Sequence, residues 1–494
     1  MKPAKLCAVV TAGTMAELRT RRDQVEGADI VELRLDTVSD PSAAAALAGR
    51  KKPVIITCRH QSQGGHFTGS EEERRSILSD ALALGAEYVD LEWRESCAGL
   101  MEQTGGRRMI LSHHDFTGVP ADLEALSREM LSRGPEMIKL AVTAHRLADT
   151  LRLRAIGRNT GVPLLLIAMG EAGIASRVLA SWMGSAWTYA GDGVAPGQIS
   201  QQRLQDEFGF RGIGARTAIY GLLGKPISHS VSPAMHNAAF RAVNLDAVYL
   251  PLAAADFADF MQFADAVHLS GASVTAPFKL DAFERADECD PVSRRIQSVN
   301  TLRHEGRRWL GCNTDVTGFL SPLQSVMRLP GARATVLGAG GAARSVSVAL
   351  ASAGVQVTIA ARRLEQATSV AALTGAAVSA WPPDPASWDL LVNATPVGTT
   401  PNVNVSPLPM DYPFQSGTIV YDLVYNPPYT KLLEDADRAR CRILGGLDML
   451  IAQAQAQFEW WTGRRPGDRV MRDAAMTRLA TMAPDIAEHI EDRQ

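Results

Sequence analysis

Short apolar runs alternate with helical segments over residues 1–212. The apolar runs have the length and the apolar content of β-strands: LCAVVTA, DIVELRLD, PVIITCR, YVDLEW, RMILSHHDF, MIKLAV, PLLLIAM and SAWTYAG. Helical patterns with turn residues separate most of them, for example SEEERRSILSDALALGA over 70–86. Eight strand–helix units in succession predict a (β/α)8 barrel in this half of the chain.

A second α/β region follows the first. The stretch QISQQRLQDEFGFRGIGAR is typical of a last helix and a linker, and a new strand begins near Ala218. Further on, residues 332–363 have the pattern of a strand, a Gly-rich turn, a helix and a strand, which is one βαβ unit of a Rossmann nucleotide-binding fold. We therefore predict an α/β chain with a barrel over 1–212, a second domain over 213–325 that is completed by C-terminal helices over 447–494, and a Rossmann domain over 326–446.

Composition narrows the class of protein. The chain has 494 residues, 46% hydrophobic and 21% charged, with a net charge of −3, which argues against a basic nucleic-acid binder. Its six cysteines are scattered without a C-x-x-C pair, so we expect a reduced cytoplasmic setting and predict no metal site. The apolar runs are too short for a membrane span, and the N-terminus lacks signal-peptide and transit-peptide features.

Charged residues alternate with apolar ones inside several barrel strands. In DIVELRLD, Val31, Leu33 and Leu35 share one face, and the charged residues share the other. The outer face of a barrel strand packs against helices, so the charged set must point inward. The same alternation turns one lysine of MIKLAV and the second histidine of RMILSHHDF inward. The predicted interior set is Glu32, Arg34, Arg59, His114 and Lys139.

A lysine and a histidine inside a barrel indicate a particular chemistry. Burial favours the neutral amine, which can attack a ketone and form a Schiff base. A nearby histidine can then remove the proton α to the iminium and protonate a leaving hydroxyl. This favours an aldolase-like lyase or a dehydratase, and the arginines favour a carboxylate substrate. The alternative is a buried polar network that only satisfies itself.

The first half resembles the type I 3-dehydroquinate dehydratases. The resemblance rests on DIVELRLD, ITCRHQSQGG, LSHHDF, IKLAV, SRVLASWMGSAWTY and APGQIS. It implies that Lys139 is the Schiff-base lysine and His114 the general acid/base, with substrate contacts from Glu32, Arg34, Arg59, Arg177 and Gln198. Two positions depart from the family. Gln63 stands where a glutamate generally orients the histidine, and Val194 stands where a serine contacts the substrate.

The turn VLGAGGAARS carries a dinucleotide pattern between a strand and a helix, formed by Gly338, Ala339, Gly340, Gly341 and Ala342. Glycines let the backbone approach a pyrophosphate at the helix N-terminus. The next strand ends in IAARR, where an NAD site would usually place an acidic residue. Arg362 and Arg363 suit a 2′-phosphate, so we predict NADP as the cofactor. The alternatives are an ordinary turn and a solvated basic pair.

Small polar loops precede this turn: GKPISHSVSPAMHN, SVTAPFK, SVNTL and GCNTD. Their hydroxyl and amide groups suit a polyhydroxylated substrate. Lys279 and Asp315 can carry proton transfer to an alkoxide while hydride moves. Each serine or asparagine alone is more often a turn or cap residue, and Pro233 favours a helix cap at Ser232 rather than a ligand.

Together these motifs resemble the shikimate dehydrogenases over nearly all of 217–494. The resemblance makes Lys279 and Asp315 the catalytic pair, and it places the loops NATPVGT and YDLVYNPPYT on the nicotinamide side of the cofactor. The residues implied for substrate are Ser228, Ser230, Thr275, Asn300, Tyr425 and Gln453, and those implied for cofactor in NATPVGT are Asn393 and Thr395. The helices around QAQFEWWTG should return to the substrate domain.

The combined expectation is a bifunctional enzyme. The barrel would dehydrate 3-dehydroquinate to 3-dehydroshikimate, and the second half would reduce that product to shikimate with NADPH. The expected partners are these small molecules, without nucleic acid or membrane; monomer and homodimer remain open. One rival is a second half that acts on quinate, although quinate users of this family tend to alter one hydroxyl of the Ser228/Ser230 pair. Another rival is an inactive relative that senses a pathway metabolite. The presence of Lys139, His114, Lys279 and Asp315 argues against it.

Overall fold

The eight apolar runs of the first half form eight strands: β1 (Lys5–Val10), β2 (Ile30–Arg34), β3 (Val54–Thr57), β4 (Tyr88–Glu92), β5 (Met109–Asp115), β6 (Met137–Thr143), β7 (Leu164–Met169) and β8 (Trp187–Ala190). The computed structural model describes residues 3–94, 98–157, 160–191, 197–228, 230–467 and 469–491. The strands are parallel and follow the order β7-β6-β5-β4-β3-β2-β1-β8. The N–H of Ala186 donates to the carbonyl of Leu164 at 2.7 Å and joins the two ends, which confirms the predicted barrel.

Helices cover the outside of this barrel: α1 (Met15–Gln24), α2 (Ala43–Leu47), α3 (Glu71–Ala83), α4 (Ala98–Thr104), α5 (Leu123–Ser132), α6 (Leu147–Ile156), α7 (Ile174–Val178) and α8 (Ala180–Met183). Local sequence explains where α3 begins. The hydroxyl of Ser70 accepts from the N–H of Glu73 at 3.2 Å, and the carboxylate of Glu73 accepts from the N–H of Ser70 at 2.7 Å. This capping box satisfies two otherwise unpaired amides and fixes the helix start.

The two faces of the barrel strands separate as their alternation predicts. On β6, Ile138, Leu140 and Val142 belong to the apolar cluster between strands and helices. Met137 and Ala141 belong to a different cluster inside the barrel, together with residues of β1, β2, β3, β5, β7 and β8. Lys139 lies between Met137 and Ala141 on the strand and therefore shares the interior face.

The first compact unit of the chain comprises Met1–Ser228 and Asp246–Leu269. Beyond the barrel this unit contains β9 (Ala218–Leu223), β10 (Ala247–Leu252) and α10 (Phe257–Val267). Between β9 and β10 the chain forms α9 (Ser232–Ala242), which belongs to the second unit. β9 and β10 pair in parallel. The fully buried Asp259 of α10 accepts hydrogen bonds at 2.9 Å from the backbone N–H groups of Leu147 and Ala148, the first residues of α6. The domain limits expected from sequence remain predictions.

The second compact unit comprises His229–Leu245 and Ser270–Gln494. Its first part contains β11 (Gly271–Val274), α11 (Lys279–Arg285), β12 (Glu288–Cys289), α12 (Pro291–Ile296), β13 (Thr301–Glu305), β14 (Arg308–Cys312) and α13 (Asp315–Gln324). β13 pairs antiparallel with β11 and with β14, and β12 pairs in parallel with β14. This arrangement sets the polar loops that follow β11 and β14 beside one another.

The start of α9 differs from the prediction. Ser232 is the first helical residue, not its cap, and the preceding Val231 makes no side-chain cap. The Oγ of Ser230 accepts from the N–H of Ser232 at 3.2 Å. The predicted cap at Ser232 is therefore wrong, because Ser230, two residues earlier, satisfies the first free amide of the helix.

The Rossmann domain consists of β15 (Arg333–Leu337), α14 (Gly341–Ser352), β16 (Gln356–Ala360), α15 (Leu364–Ala372), β17 (Ala377–Ser379), β18 (Leu390–Asn393), β19 (Ile419–Asp422), α16 (Lys431–Arg438) and β20 (Arg442–Gly445). Its strands are all parallel in the order β17-β16-β15-β18-β19-β20. The sheet reverses direction of growth between β15 and β18, which is where doubly wound folds bind dinucleotides. The predicted α/β fold class is confirmed.

The chain ends in two helices, α17 (Gly446–Thr462) and α18 (Val470–Glu491). The indole N–H of Trp461 donates to the carbonyl of Leu302 in β13 at 2.9 Å, and Phe458 packs against Phe240 of α9 with ring centroids 5.2 Å apart. α17 therefore packs on the first part of the second unit rather than on the Rossmann sheet alone. Among the described helices, none has the length and apolarity needed to cross a bilayer.

Candidate active sites

Lys139 lies inside the barrel beside two carboxylates. Its side chain is 6% exposed, and its Nζ lies 3.0 Å from Oδ2 of Asp90 and 3.5 Å from Oε2 of Glu32. The ring centroid of Tyr189 lies 4.4 Å from the same nitrogen. The lysine nitrogen is thus held inside the barrel by two carboxylates and one aromatic ring.

Asp90, near the end of β4, holds the interior polar residues together. Its carboxylate accepts from the hydroxyl of Ser112 at 2.6 Å and from Nη2 of Arg59 at 3.1 Å, besides pairing with Lys139. Burial alone would raise the pKa of Asp90, but the charges of Lys139 and Arg59 outweigh it and hold that pKa well below its ordinary value. Asp90 is therefore a permanent anion at the centre of the site.

His114, near the end of β5, lies against Arg59. Nη1 of Arg59 is 2.7 Å from Nδ1 of the imidazole and also contacts Nε2 closely. Burial lowers the pKa of His114 well below its ordinary value, and the positive charges of Arg59 and Lys139 lower it further. The resting imidazole is therefore neutral, which is the form that can accept a proton.

A second buried ion pair supports Arg59 from outside the cluster. Glu92, at the end of β4, lies 3.7 Å from Nε of Arg59, and its other oxygen accepts from Arg74 of α3 at 2.5 Å. Burial raises the pKa of Glu92, and its arginine neighbours oppose that effect. Asp90 and Glu92 both pair with Arg59 and hold its guanidinium in place. Burial alone would lower the pKa of Arg59, but the charges of these carboxylates outweigh that effect and raise it.

Three further predicted substrate contacts of the barrel, Arg34, Arg177 and Gln198, are placed as follows. Arg34 pairs with Asp36 through two hydrogen bonds of 2.9 and 2.7 Å, just beyond β2. Arg177, in the short helix α7, is 3% exposed, and burial lowers its pKa to about 10. Gln198 lies beside Gly191, where an added Cβ would meet its amide nitrogen at 2.6 Å. The contacts described for these three residues do not include the Lys139 carboxylates.

Gln63, one of the two departures from the family pattern, closes the 3-10 turn Gln61–Gln63 after β3. The neighbouring Gly64 has a φ of +71° and touches the ring of Phe116, since a Cβ there would lie 2.5 Å from that ring. Phe116 stacks on His114 with centroids 6.4 Å apart. The turn thus reaches the histidine through an aromatic ring. The other departure, Val194, lies outside the described residues.

Sequence reasoning missed three groups of the barrel site: Asp90, Glu92 and Tyr189. The signal for the first two was available, because the alternation that turns Glu32 inward also separates Asp90 and Glu92 from Val89 and Leu91 in YVDLEW. Tyr189 carries no comparable signal, because an aromatic residue in a strand packs on either face.

The second unit brings together four predicted residues of the dehydrogenase site. Nζ of Lys279, at the start of α11, lies 2.6 Å from Oδ2 of Asp315, at the start of α13. The lysine side chain is 31% exposed and the aspartate side chain 8%. The amide nitrogen of Asn300 donates to Oδ1 of Asp315 at 2.7 Å and to Oε1 of Gln453 at 3.2 Å. Asp315 is thus buried and held by Lys279 and Asn300, while the side chain of Lys279 stays partly exposed to solvent.

Close helix packing puts Gln453 there. A Cβ on Gly318 of α13 would lie 2.7 Å from Cβ of Gln453, so a glycine is needed where α17 crosses. One turn further along α17, Gln457 accepts from Ser273 at 2.8 Å and donates to Thr301 at 3.0 Å. Gln457 therefore fixes the strands on either side of Asn300, a role that the sequence did not indicate.

The remaining predicted substrate residues are placed as follows. Ser230 is half-buried and caps α9, Thr275 is half-buried after β11, and Tyr425 follows β19, where burial raises its pKa. Ser228 is exposed at the end of the first compact unit. Only Lys279, Asp315, Asn300 and Gln453 are joined by hydrogen bonds among the described contacts.

The Gly-rich turn after β15 forms a cradle at the start of α14. Gly338 has a φ of +106°, which side chains rarely adopt, and Gly340 is the N-cap of the helix. A Cβ added to Gly340 or Gly341 would meet nothing within 4 Å, so the helix N-terminus is open to an anion. Ala339 is half-buried and Ala342 exposed in the same turn.

The arginines at the end of β16 are accessible. Arg362 and Arg363 are exposed, and Arg363 is the N-cap of α15. Asn393, by contrast, is fully buried at the end of β18, where its Oδ1 accepts from the N–H and the hydroxyl of Thr395 at 3.0 and 2.7 Å. The turn and the arginines fit a dinucleotide with a 2′-phosphate, while the side chain of Asn393 serves the loop around it.

Comparison with known proteins agrees with this geometry. Residues 6–215 match type I 3-dehydroquinase, residues 222–302 the shikimate dehydrogenase substrate binding domain, and residues 446–476 the shikimate 5'-dehydrogenase C-terminal domain. A shikimate dehydrogenase (NADP(+)) of Moorella thermoacetica is 43% identical over 53% of this chain and 95% of its own. A solved shikimate dehydrogenase in complex with NADP+ has a TM-score of 0.52 and 34% identity, covering 54% of this chain and 97% of its own.

One relative spans both halves. The bifunctional 3-dehydroquinate dehydratase/shikimate dehydrogenase of Arabidopsis thaliana is 33% identical, and the match covers 93% of this chain and 82% of the relative. The chain therefore belongs to the bifunctional 3-dehydroquinate dehydratase/shikimate dehydrogenase family of the shikimate pathway, which joins a lyase and an oxidoreductase in one polypeptide.

Proposed function

We propose that Lys139 forms a Schiff base with the ketone of 3-dehydroquinate and that His114 transfers the protons of the dehydration. The observation that supports this most is the placement of both side chains around Asp90 and Arg59 inside the barrel. The neutral imidazole of His114 takes a proton from Nζ, Nζ attacks the ketone carbon, and the imidazolium returns the proton to the carbinolamine hydroxyl, which leaves as water and gives an iminium. His114 removes the proton α to the iminium carbon, and the imidazolium then protonates the hydroxyl that leaves from the β carbon. Hydrolysis returns the amine and releases 3-dehydroshikimate.

The carboxylates of Asp90 and Glu32 can stabilise the lysine nitrogen both as an ammonium and as an iminium. The ammonium and the iminium each carry one positive charge, so anions at 3.0 and 3.5 Å stabilise both. The iminium is thereby kept as an electron sink without a large rearrangement of charge. Arg59 meanwhile keeps the resting imidazole neutral and ready to act as the base.

The proposed substrate contacts of the dehydratase are Glu32, Arg34, Arg59, Arg177 and Gln198. Arg177 suits the carboxylate of 3-dehydroquinate, because burial destabilises its charge and a bound anion would compensate. Arg34 would have to share its guanidinium between Asp36 and the substrate.

In the dehydrogenase half, Lys279 is proposed to donate a proton to the carbonyl oxygen of 3-dehydroshikimate and to take it back in the reverse direction. The pair with Asp315 at 2.6 Å holds Nζ at one position and stabilises its charge. Asn300 and Gln453 then orient substrate hydroxyls, together with Ser228, Ser230, Thr275 and Tyr425. Ser228 and Ser230 are both hydroxyl residues, which favours shikimate over quinate.

NADP is proposed to bind with its pyrophosphate on the turn from Gly338 to Ala342 and its 2′-phosphate on Arg362 and Arg363. The open helix N-terminus and the two exposed guanidinium groups fit that group. When bound, NADPH supplies the hydride for reduction. Thr395, which touches Gly338, lies beside the same turn.

We further propose the cytoplasm as the compartment and small molecules as the only ligands needed for activity. The described cysteines Cys7, Cys58, Cys289, Cys312 and Cys441 are all free thiols, in keeping with a reducing setting. Gel filtration with light scattering would decide between monomer and homodimer.

The test of the proposed function is product identification. The chain supplied with 3-dehydroquinate and NADPH should yield shikimate and NADP+, with 3-dehydroshikimate as a transient species. The variant Lys139→Ala should lose dehydration and retain NADP-dependent oxidation of shikimate. Loss of both activities in that variant, or faster oxidation of quinate than of shikimate, would contradict the proposal.

A further inference from the structure

Asp422, the last residue of β19, holds a carboxylate that no step of the proposed mechanism uses. Its side chain is fully buried in the Rossmann domain. None of the ion pairs among the described residues includes Asp422, and the nearest lysine in sequence, Lys431, pairs with Glu434 and Asp435. A buried carboxylate without a cationic partner is costly unless donors converge on it.

Three neutral donors do converge. Oδ1 of Asp422 accepts from Nδ2 of Asn393 at 2.9 Å and from the N–H of Val424 at 3.0 Å, and Oδ2 accepts from the hydroxyl of Thr430 at 2.6 Å. Burial raises the pKa of Asp422 to about 6, and these hydrogen bonds oppose that rise. Three donors facing one carboxylate is the arrangement that stabilises its charged form.

The first of these bonds leads to the Gly-rich turn. Asn393 and Asp422 are register partners at the carboxyl ends of neighbouring parallel strands, so their side chains meet at the cofactor edge of the sheet. The other end of the Asn393 amide accepts from the N–H and the hydroxyl of Thr395. The methyl group of Thr395 in turn lies against Gly338, 2.9 Å from where a Cβ would be.

The other two bonds lead to the loop that carries Tyr425. Val424 opens this loop, and Thr430 closes it by capping α16, where its oxygen accepts from the N–H of Leu433 at 3.3 Å. The carbonyl of Asn426, in the middle of the loop, accepts from the N–H of Thr400 at 3.0 Å. The loops after β18 and β19 are thus joined at Asn426 and also through the buried carboxylate of Asp422.

We propose that Asp422 is a positioning residue of the dehydrogenase, which fixes the 393–400 and 423–430 loops and thereby shapes the nicotinamide side of the NADP site. It acts through Asn393, Thr395 and Thr430 and does not touch the reacting atoms. The inference rests on the proposed cofactor site, and it adds a residue whose charge is needed there.

The isosteric variant Asp422→Asn separates charge from size. In one orientation its NH2 group faces the hydroxyl of Thr430, whose oxygen already accepts from Leu433, so the hydroxyl proton loses its acceptor. In the other orientation the NH2 group faces the donors of Asn393 and Val424. Either orientation leaves a buried donor without the acceptor that the carboxylate gives it, although the volume is unchanged.

The experiment measures shikimate oxidation in the full chain. Asp422→Asn should raise KM for NADP+ about tenfold, as expected for loss of a buried bond to a charged group. KM for shikimate should change less than KM for NADP+, because Tyr425 is the one proposed shikimate contact on the two loops that Asp422 fixes. The dehydratase activity of the same chain reports only that the barrel has folded, and a thermal melt followed by circular dichroism reports on the dehydrogenase half as well. Asp389→Asn is the matched control. Asp389 is exposed and pairs with Arg333 at the amino ends of β18 and β15, away from the carboxyl ends where the cofactor is proposed to bind.

Direct binding of NADPH, followed by its fluorescence, separates positioning from mere support of the fold. An unchanged Kd and KM in Asp422→Asn, with only a lower melting temperature, would overturn the proposal. Should that variant lose its dehydrogenase fold, Thr430→Val removes a single bond to the carboxylate and should raise KM for NADP+ about threefold. An unchanged KM there would overturn the proposal equally. A wild-type chain that does not oxidise shikimate with NADP+ would contradict the proposed function instead.

Discussion

The Nζ of Lys139 lies 3.0 Å from the carboxylate of Asp90, and the same carboxylate holds Arg59 at 3.1 Å. These residues come from three strands of the barrel, β6, β4 and the end of β3, and their side chains are almost fully buried. One carboxylate therefore holds both the proposed nucleophile and the guanidinium that contacts His114.

Replacing Asp90 by asparagine should lower kcat for dehydration strongly. The iminium loses a close anion, so we expect kcat for dehydration to fall about 100-fold, while shikimate oxidation is unchanged. Two buried cations also lose a partner, which should cost about 3 kcal/mol of unfolding free energy, measured by urea denaturation.

Glu17→Gln is the control for Asp90→Asn, because it removes the exposed pair with Arg21 on α1 and should cost less than about 1 kcal/mol. Dehydration within about twofold of wild type in Asp90→Asn would mean that the anion is not needed at the lysine.

The pH dependence of dehydration should reveal the charge beside His114. Since burial and the positive charge of Arg59 hold the pKa of His114 well below its ordinary value, kcat/KM for dehydration should not fall near pH 6.5, where an ordinary histidine becomes protonated. Arg59→Gln removes a positive charge and leaves two carboxylates, so the pKa of His114 should rise.

The acid limb of the dehydration profile should therefore move to higher pH in Arg59→Gln, together with the NMR titration of the His114 ring. Arg21→Gln, at an exposed position, should leave both unchanged. An acid limb at the same pH in Arg59→Gln and in the wild type would contradict the role assigned to this arginine.

Asp259 provides a test of where the barrel ends as a folding unit. Its buried carboxylate accepts from two amides of α6 and from the N–H of Ala255, so Asp259→Ala should cost about 2 kcal/mol of barrel stability. The measurement is loss of dehydratase activity in urea. Asp256→Ala, which removes an exposed cap of α10, should cost about half as much.

A chain ended at residue 212 lacks α10 and should be destabilised at least as much as Asp259→Ala. If that shortened chain were as stable as the full one, the cap on α6 would not matter to the barrel.

Much of this arrangement follows from sequence alternation alone. The period of two placed Lys139, Glu32 and His114 inside the barrel, because the apolar residues that alternate with them had to face the helices. Asp90 obeyed the same rule and could have been found in YVDLEW. The positions of single residues along each strand were thus predictable.

The pairing of those residues was not. Arg34 shares a face with Asp36 and with Glu32, and the 3-10 turn Leu35–Thr37 decides that it pairs with Asp36. Asn300 meets Gln453 across 153 positions of sequence, because α17 returns to pack on α13. Such contacts depend on how whole elements pack, and local pattern carries no information about that.

Trapping with borohydride tests the Schiff base on Lys139 most directly. The chain is mixed with 3-dehydroquinate, reduced with borohydride, digested and mapped by mass spectrometry. We expect a substrate-derived adduct on the peptide that contains Lys139, and none in Lys139→Ala. An adduct on a different lysine, or active dehydration with no adduct on any peptide, would contradict the mechanism.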